Sequence, residues 1–250
     1  MSEFWMITLT LALSYIVGAI PFGLLIVWIF KGKDVRLVES GRTGGTNAMR
    51  AAGFIAGLLT AGLDVLKGYS TLWIVSWLAP GLPWVNVTAA LMAILGHNYS
   101  IFLIEKRIGG GVRLRGGAGG APAFGGAMAL WAPAGLIILP LGILVYIFIG
   151  YASVTTMSIG LFASGIFLVR AIQGLSPWEY VFYGLAALII VMWALRPNLA
   201  RLRDGTERSV GLRAYLQKRQ AGKKDLASKV STTRPSRNRR VRKVEPYSGR

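Results

Sequence analysis

The stretch Glu39-Ser-Gly-Arg-Thr-Gly-Gly-Thr-Asn-Ala-Met-Arg50 has the residue types of an anion site. Gly41, Gly44 and Gly45 let successive backbone N–H groups converge, Ser40, Thr43 and Thr46 add hydroxyls, and Arg50 adds a fixed positive fork. A nest of this kind at the start of a helix suits a phosphate, and arginine grips one with two parallel hydrogen bonds. Glycines alone would fit an ordinary loop; the hydroxyls, Asn47 and Arg50 beside them favour the anion reading. A second glycine-rich run, Arg115-Gly-Gly-Ala-Gly-Gly120, follows Gly96-His97-Asn98-Tyr99. A third polar cluster, Arg196-Pro-Asn-Leu-Ala-Arg-Leu-Arg-Asp-Gly-Thr-Glu207, places Asn198, Arg201 and Glu207 close together. Asp64 and Lys67 are one helical turn apart, so they read either as a structural ion pair or as a substrate contact. His97 can serve as a base or hydrogen-bond donor, or sit as a satisfied structural residue.

These residues interrupt a very apolar chain. Of 250 residues, 54% are apolar and 15% charged, against roughly 45–50% and about 25% in soluble domains. The expected fold is therefore all-α, a polytopic membrane helical bundle. The chain has no cysteine and one histidine, which excludes disulfides, cysteine nucleophiles and multi-histidine metal sites. A bilayer core of about 30 Å takes about 20 apolar helical residues. Spans are predicted at 4–30 (a retained helix, not a cleaved leader), 54–79, 84–104, two within 121–151 turning near Pro133, 156–170 and 178–195. The total is seven, with six as the alternative.

Charge predicts orientation. Lys31, Lys33, Arg36, Arg42 and Arg50 fall between the first two spans, and Lys106, Arg107, Arg113 and Arg115 follow the third. Residues 196–250 hold 17 Lys and Arg against 4 Asp and Glu, most of the net +18. The positive-inside rule makes these segments and the C-terminus cytoplasmic and the N-terminus external, so the three polar loops share one membrane mouth. Two parts are expected: a membrane domain over 1–212 and a basic, unstructured tail over 213–250, too poor in large apolar groups to fold. That tail is either simply solvated or in contact with anionic lipid. Nucleic acid is not an expected partner, because the chain from Lys218 onward has one tyrosine and no interleaved aromatics for stacking bases. A transporter ranks lower, since transporter sites lie at the midplane in broken helices.

In order, Ser14-Tyr-Ile-Val-Gly-Ala-Ile-Pro-Phe-Gly23, Ser40-Gly-x-x-Gly-x-Thr-Asn-x-x-Arg50, Asp64-x-x-Lys-Gly68, Gly96-His97 and Arg196-x-Asn198…Arg201-Leu…Gly205-x-Glu207 resemble the bacterial acyl-phosphate:glycerol-3-phosphate acyltransferase family of the PlsY type. The likeness runs over about residues 10–212. It implies a seven-helix membrane enzyme with a cytoplasmic site. The implied reaction moves an acyl group from acyl phosphate to the 1-hydroxyl of glycerol 3-phosphate, giving lysophosphatidic acid and phosphate, without metal or cofactor. The resemblance implies catalytic roles for Ser40, Asn198 and His97. It implies substrate or phosphate binding by Gly41, Gly44, Thr46, Asn47, Arg50, Lys67, Gly116, Gly117, Gly119, Arg196, Arg201 and Glu207. No protein nucleophile is needed if the substrate phosphate takes the proton. Three positions depart from the family pattern: Ala118 stands where it has lysine, Leu195 where it has histidine and Arg42 where it has asparagine. Those departures keep open a different acceptor, or a non-catalytic membrane scaffold.

Overall fold

The computed structural model describes residues 2–106 and 109–232. Helix α1 (Glu3–Ala19) and helix α2 (Phe22–Lys31) make one long apolar run broken at Ile20–Pro21, where proline lacks the N–H that would continue the ladder. A short 3-10 turn (Val35–Leu37) leads to α3 (Gly45–Ala52), which carries the end of the first polar loop. The next apolar run is divided at Ser70 into α4 (Phe54–Tyr69) and α5 (Thr71–Leu78). Helix α6 (Pro83–Asn98) starts with proline in its first turn, where the missing N–H costs nothing.

The structure corrects the third expected span and adds a hairpin to a mostly helical fold. Helix α6 stops at Asn98, and the chain forms an antiparallel hairpin of β1 (Ser100–Lys106) and β2 (Val112–Arg115), pairing Glu105 with Arg113 and Lys106 with Val112. The hairpin closes through Gly109, Gly110 and Gly111, all at positive φ, a conformation that side chains resist.

Helix α7 (Gly120–Leu130) and α8 (Ala134–Leu144) turn at Pro133, as the sequence predicts, and α8 continues as a single π-helical turn, Val145–Ile149. Helix α9 (Ala152–Ile172) packs on α10 (Glu179–Ala194). The chain then bends by 73° into α11 (Arg196–Arg203). The tail expectation is corrected in part. Residues Gly211–Thr232 form helix α12, consistent with the strong helix formers Leu, Arg, Ala, Gln and Lys that fill its first turns; residues 233–250 lie outside the described residues.

Among the described residues, Glu3–Lys31 and Ala152–Ile172 are long and apolar enough to cross a membrane, and the bent pair α10–α11 adds a third if taken as one span. The remaining expected spans are shorter or broken helices. Large apolar side chains such as Leu136, Phe148 and Ile189 point outward, while Thr10, Ser14, Thr60, Asp64 and Lys67 are buried inside. That distribution suits a bundle in lipid. The core is built from Ile94, Ile138, Phe167 and Tyr183 among alanines of α6, α7, α9 and α10, and the Tyr183 hydroxyl donates to the Ala123 carbonyl at 2.6 Å.

Candidate active site

The loops separated in sequence meet at one end of this bundle, around a cavity of about 820 Å³. The first loop is stapled from within. The Asn47 side-chain amide donates to the carbonyls of Val35 (3.0 Å), Val38 (2.9 Å) and Arg42 (2.9 Å). Asn47 thus shapes the loop with its donor end while also lining the cavity. Asp34 caps the 3-10 turn through the Arg36 N–H at 2.8 Å and takes the Arg36 side chain at 2.7 Å. The Arg36 hydrogen bond holds the Asp34 carboxyl below its ordinary range. Ser40, Gly41, Gly44, Thr46 and Arg50 line the cavity as expected.

The glycine run lies directly against this loop. Thr43 N–H donates to Gly116 O at 3.3 Å, and Gly117 N–H donates to His97 O at 2.9 Å. Gly119 sits at φ +89° and opens helix α7 toward the cavity. Orphan N–H groups of a helix's first turn attract anions. Gly116 and Gly117 line the same wall. Gly117 has no room for a side chain, because a Cβ there would overlap the His97 imidazole.

That contact decides the part His97 plays. Its Nδ1 lies 3.5 Å from Asp64 Oδ1 and its Nε2 edge is covered by Gly117. Although His97 borders the cavity, its ring is enclosed and 5% of its surface is exposed. His97 thus supports the glycine run from below, at the edge of the cavity. Lys67 lies deeper in the bundle. Its ammonium is 2.9 Å from Asp64 Oδ1 and donates to Ile20 O at 3.0 Å, and it does not reach the cavity. The lysine bonds to the carbonyl exposed by the break before Pro21, so the Asp64–Lys67 pair ties α4 to the break between α1 and α2, with Asp64 also bordering the cavity.

On the opposite wall, one carboxylate gathers three donors. Glu207 accepts from Asn198 Nδ2 at 2.8 Å, Arg201 Nε at 3.0 Å and Ser153 Oγ at 3.2 Å. Its Oε1 takes Asn198 and Ser153, and its Oε2 takes Arg201. Through these contacts Glu207 fixes the rotamers of Asn198 and Arg201 at the cavity. Arg196 stacks over the Trp193 ring at 4.0 Å and also lines the cavity.

Arg42 ties the walls together. Its guanidinium donates to Gly117 O at 3.1 Å, Ala194 O at 2.5 Å and Asn198 Oδ1 at 3.3 Å. Burial, then repulsion from Arg201, pulls its pKa below the ordinary arginine value. The three departures from the family pattern are thereby brought to one place: Arg42 reaches the carbonyl beside Ala118 and the helix end beside Leu195. Sequence reasoning did not rank Arg42 as a site residue. It also missed Asn98, Ser153 and Thr156, which line the cavity with Arg113. Ser153 and Thr156 carry no local signal.

The electrostatics follow from the lining. Seven arginines (Arg42, Arg50, Arg113, Arg115, Arg196, Arg201, Arg208) face three carboxylates. Each carboxylate is already paired: Glu39 with Arg208, Asp64 with Lys67 and Glu207 with Arg201. Among the described residues, Arg42, Arg50, Arg113 and Arg196 have no carboxylate partner, so the cavity is a positive funnel at the mouth of an apolar bundle.

Residues 8–205 match the family model described as glycerol-3-phosphate acyltransferase. A protein named glycerol-3-phosphate acyltransferase from Thermus thermophilus is 40% identical over 206 residues, which is 82% of this chain and 96% of that one. The protein of the same name from Rubrobacter xylanophilus is 36% identical over 206 residues, with the same two shares. Among solved structures, PlsY (YgiH), an integral membrane glycerol 3-phosphate acyltransferase, is similar in its glycerol 3-phosphate form. The TM-score is 0.68 at 29% identity, covering 84% of this chain and 98% of that one. Its lysophosphatidic acid form gives 0.67 at 27% identity, with the same coverage.

Proposed function

This chain is a member of the glycerol-3-phosphate acyltransferase family, and on that premise we propose that it transfers an acyl group from acyl phosphate to the 1-hydroxyl of glycerol 3-phosphate. The products are lysophosphatidic acid and inorganic phosphate, the first step of building a phospholipid. The observation that carries this reading is the positive cavity, to which arginines without carboxylate partners come from three separate loops, a lining suited to phosphorylated substrates.

The chemistry asks for little beyond placement. The acceptor hydroxyl oxygen attacks the acyl carbonyl carbon, the carbon–oxygen bond to phosphate breaks, and the departing phosphate takes the hydroxyl proton. Holding the two reactants in line removes most of the entropic cost of a bimolecular step. Arg50 and Arg196 bind phosphoryl oxygens. Ser40 and Asn198 touch the reacting oxygens, with Asn198 held in place by Glu207 and Arg42. The N-terminus of α7 favours the negative charge that grows on the leaving phosphate. His97 and Asp64 support the glycine run and touch no substrate.

On this reading the membrane domain crosses the bilayer seven times with the cavity at the cytoplasmic face of a bacterial cell membrane, supported by the basic loops around it. A second reading, with a different acceptor, is favoured by one feature: the guanidinium of Arg42 is engaged with two carbonyls and Asn198. It therefore stands beside Ala118 without the free reach of a lysine.

An acceptor panel separates the two. Purified protein in lipid nanodiscs is given palmitoyl phosphate with glycerol 3-phosphate, glycerol, dihydroxyacetone phosphate or glycerol 2-phosphate, and the lipid product is identified by mass. Lysophosphatidic acid from glycerol 3-phosphate supports the first reading. Product from another acceptor only supports the second. No product from any acceptor defeats both.

A further inference from the structure

Helix α12 lies beyond the family match, which ends at residue 205. Its start is nevertheless fixed to the bundle. Val210 N–H donates to Gly150 O at 2.9 Å, and Tyr151 pairs with Ser209 in an isolated antiparallel bridge. Gly211, at φ +58°, lets the backbone press on the Tyr146 carbonyl where a Cβ would collide. The Arg213 guanidinium then covers the Tyr151 ring at 4.6 Å. The first turn of α12 is thus seated on the π-helical turn Val145–Ile149, whose Ile147, Phe148 and Ile149 are exposed apolar side chains.

The rest of the helix has an unusual face. Leu212, Tyr215, Leu216, Arg219 and Lys223 follow one another at helical spacing and so share one side. All five are exposed, Tyr215 by 61% of its surface. The other side carries Ala214, Gln217 and Ala221, and residues 211–223 contain no acidic residue. A helix meant for water puts its charges opposite its apolar stripe, whereas a helix meant for a protein core leaves unpaired cations out of that stripe. Cations within the stripe fit a layer that is apolar beneath and anionic above, since long basic side chains lay their stems on apolar surface and send their heads to phosphates.

We propose that α12 lies on an anionic lipid surface beside the cavity mouth, holding Leu212, Tyr215 and Leu216 against the acyl boundary and Arg219 and Lys223 against lipid phosphates. The seat on Val145–Ile149 gives the docked helix continuity with the outward apolar surface of the bundle. The chain-proximal link is short: Arg208, three residues before α12, pairs with Glu39 of the cavity wall. This proposal does not depend on the reaction proposed above.

The absence of native cysteine allows a clean test on the full-length protein. Tyr215→Cys and, on the opposite side, Gln217→Cys are each labelled with an environment-sensitive fluorophore and placed in nanodiscs. One set is phosphatidylcholine alone and the other phosphatidylcholine with phosphatidylglycerol. The expected result is a blue shift and quenching by brominated lipid at position 215 in the anionic discs only, lost in high salt, with position 217 unchanged. Replacing Arg219 and Lys223 by Gln should weaken docking by roughly fivefold for each charge removed at low salt, with turnover in neutral discs unaltered. Three outcomes overturn the proposal: equal signals at 215 in both lipids, equal signals at 215 and 217, or a response to added RNA in neutral discs with none to phosphatidylglycerol. A chain that turns over no substrate still gives the fluorescence result, so failure of the acyltransferase reading and failure of this one are separable.

Discussion

Two buried carboxylates hold this molecule's polar parts in order, and they do it in different places. Asp64 sits inside the bundle with Lys67 at 2.9 Å and His97 at 3.5 Å, under the glycine run. Glu207 sits at the cavity wall, where it holds Asn198, Arg201 and Ser153. Both acids are nearly inaccessible, and both face cationic or amide donors. The difference lies in what their partners touch next. Lys67 reaches a backbone carbonyl and the His97 ring is closed over by Gly117, whereas Asn198 and Arg201 open onto the cavity. A buried ion pair is therefore read by following its partners outward, not by its burial or charge.

The largest effect that can break this comparison is on Asp64. Replacing Asp64 by Ala leaves the Lys67 ammonium buried without its counter-ion and should destabilise the fold by about 3–5 kcal/mol. Thermal unfolding in detergent reads this as a large fall in Tm. A variant that keeps its Tm while losing turnover would move Asp64 into the chemistry. Glu207→Gln should do the reverse. It keeps the shape but exchanges an acceptor-only carboxylate for an amide, loosening Asn198 and Arg201. A drop of roughly hundredfold in kcat/KM is expected, the loss of about 2–3 kcal/mol of charged hydrogen bonding, with a small change in Tm. A smaller effect is expected at Arg42→Lys, which removes the fork joining Gly117, Ala194 and Asn198. Steady-state kinetics should show roughly a tenfold loss, the scale of one charged hydrogen bond; unchanged kinetics would show that the three walls hold together without it.

The smallest effects concern surface pairs. Asp34 has its pKa depressed in the folded protein by the Arg36 hydrogen bond. Its contribution to stability is therefore present above the unfolded pKa and is lost as pH falls through the folded one. Melting curves between about pH 2 and 5, around the ordinary aspartate value, should show Asp34→Asn flattening the acid fall in Tm slightly, and no difference from the parent would remove this pair from the loop's support. Arg208→Gln opens an exposed pair with Glu39 and should change stability by less than about 0.5 kcal/mol.

The sequence carried much of the architecture because apolar runs and prolines act locally. The long first run, the turn at Pro133 and the gathering of three polar loops were all readable from residue types. The hairpin was not. Ile101, Phe102, Leu103 and Ile104 continue the apolar run of α6, so the strand looked like more of the same span, although the Gly109–Gly111 turn marks the reversal. Helix α12 was hidden for the opposite reason: its composition resembles a solvated tail, and its seat on Val145–Ile149 is a tertiary contact. At the site, glycines, hydroxyls and arginines were legible as phosphate-binding types. The separate duties of Asn47, Glu207 and His97 were not. Each depends on partners more than a helical turn away in sequence, such as Val35 for Asn47, Asn198 for Glu207 and Gly117 for His97.

Lysophosphatidic acid formation from palmitoyl phosphate and glycerol 3-phosphate, measured in nanodiscs for the parent and for Asn198→Ala, tests the account most directly. The account predicts turnover that requires both substrates, releases one phosphate per lipid formed and falls at least a hundredfold in the variant, the loss of an interaction at the reacting oxygens. Equal rates in the two proteins would contradict the assignment of this cavity as the place where acyl transfer happens.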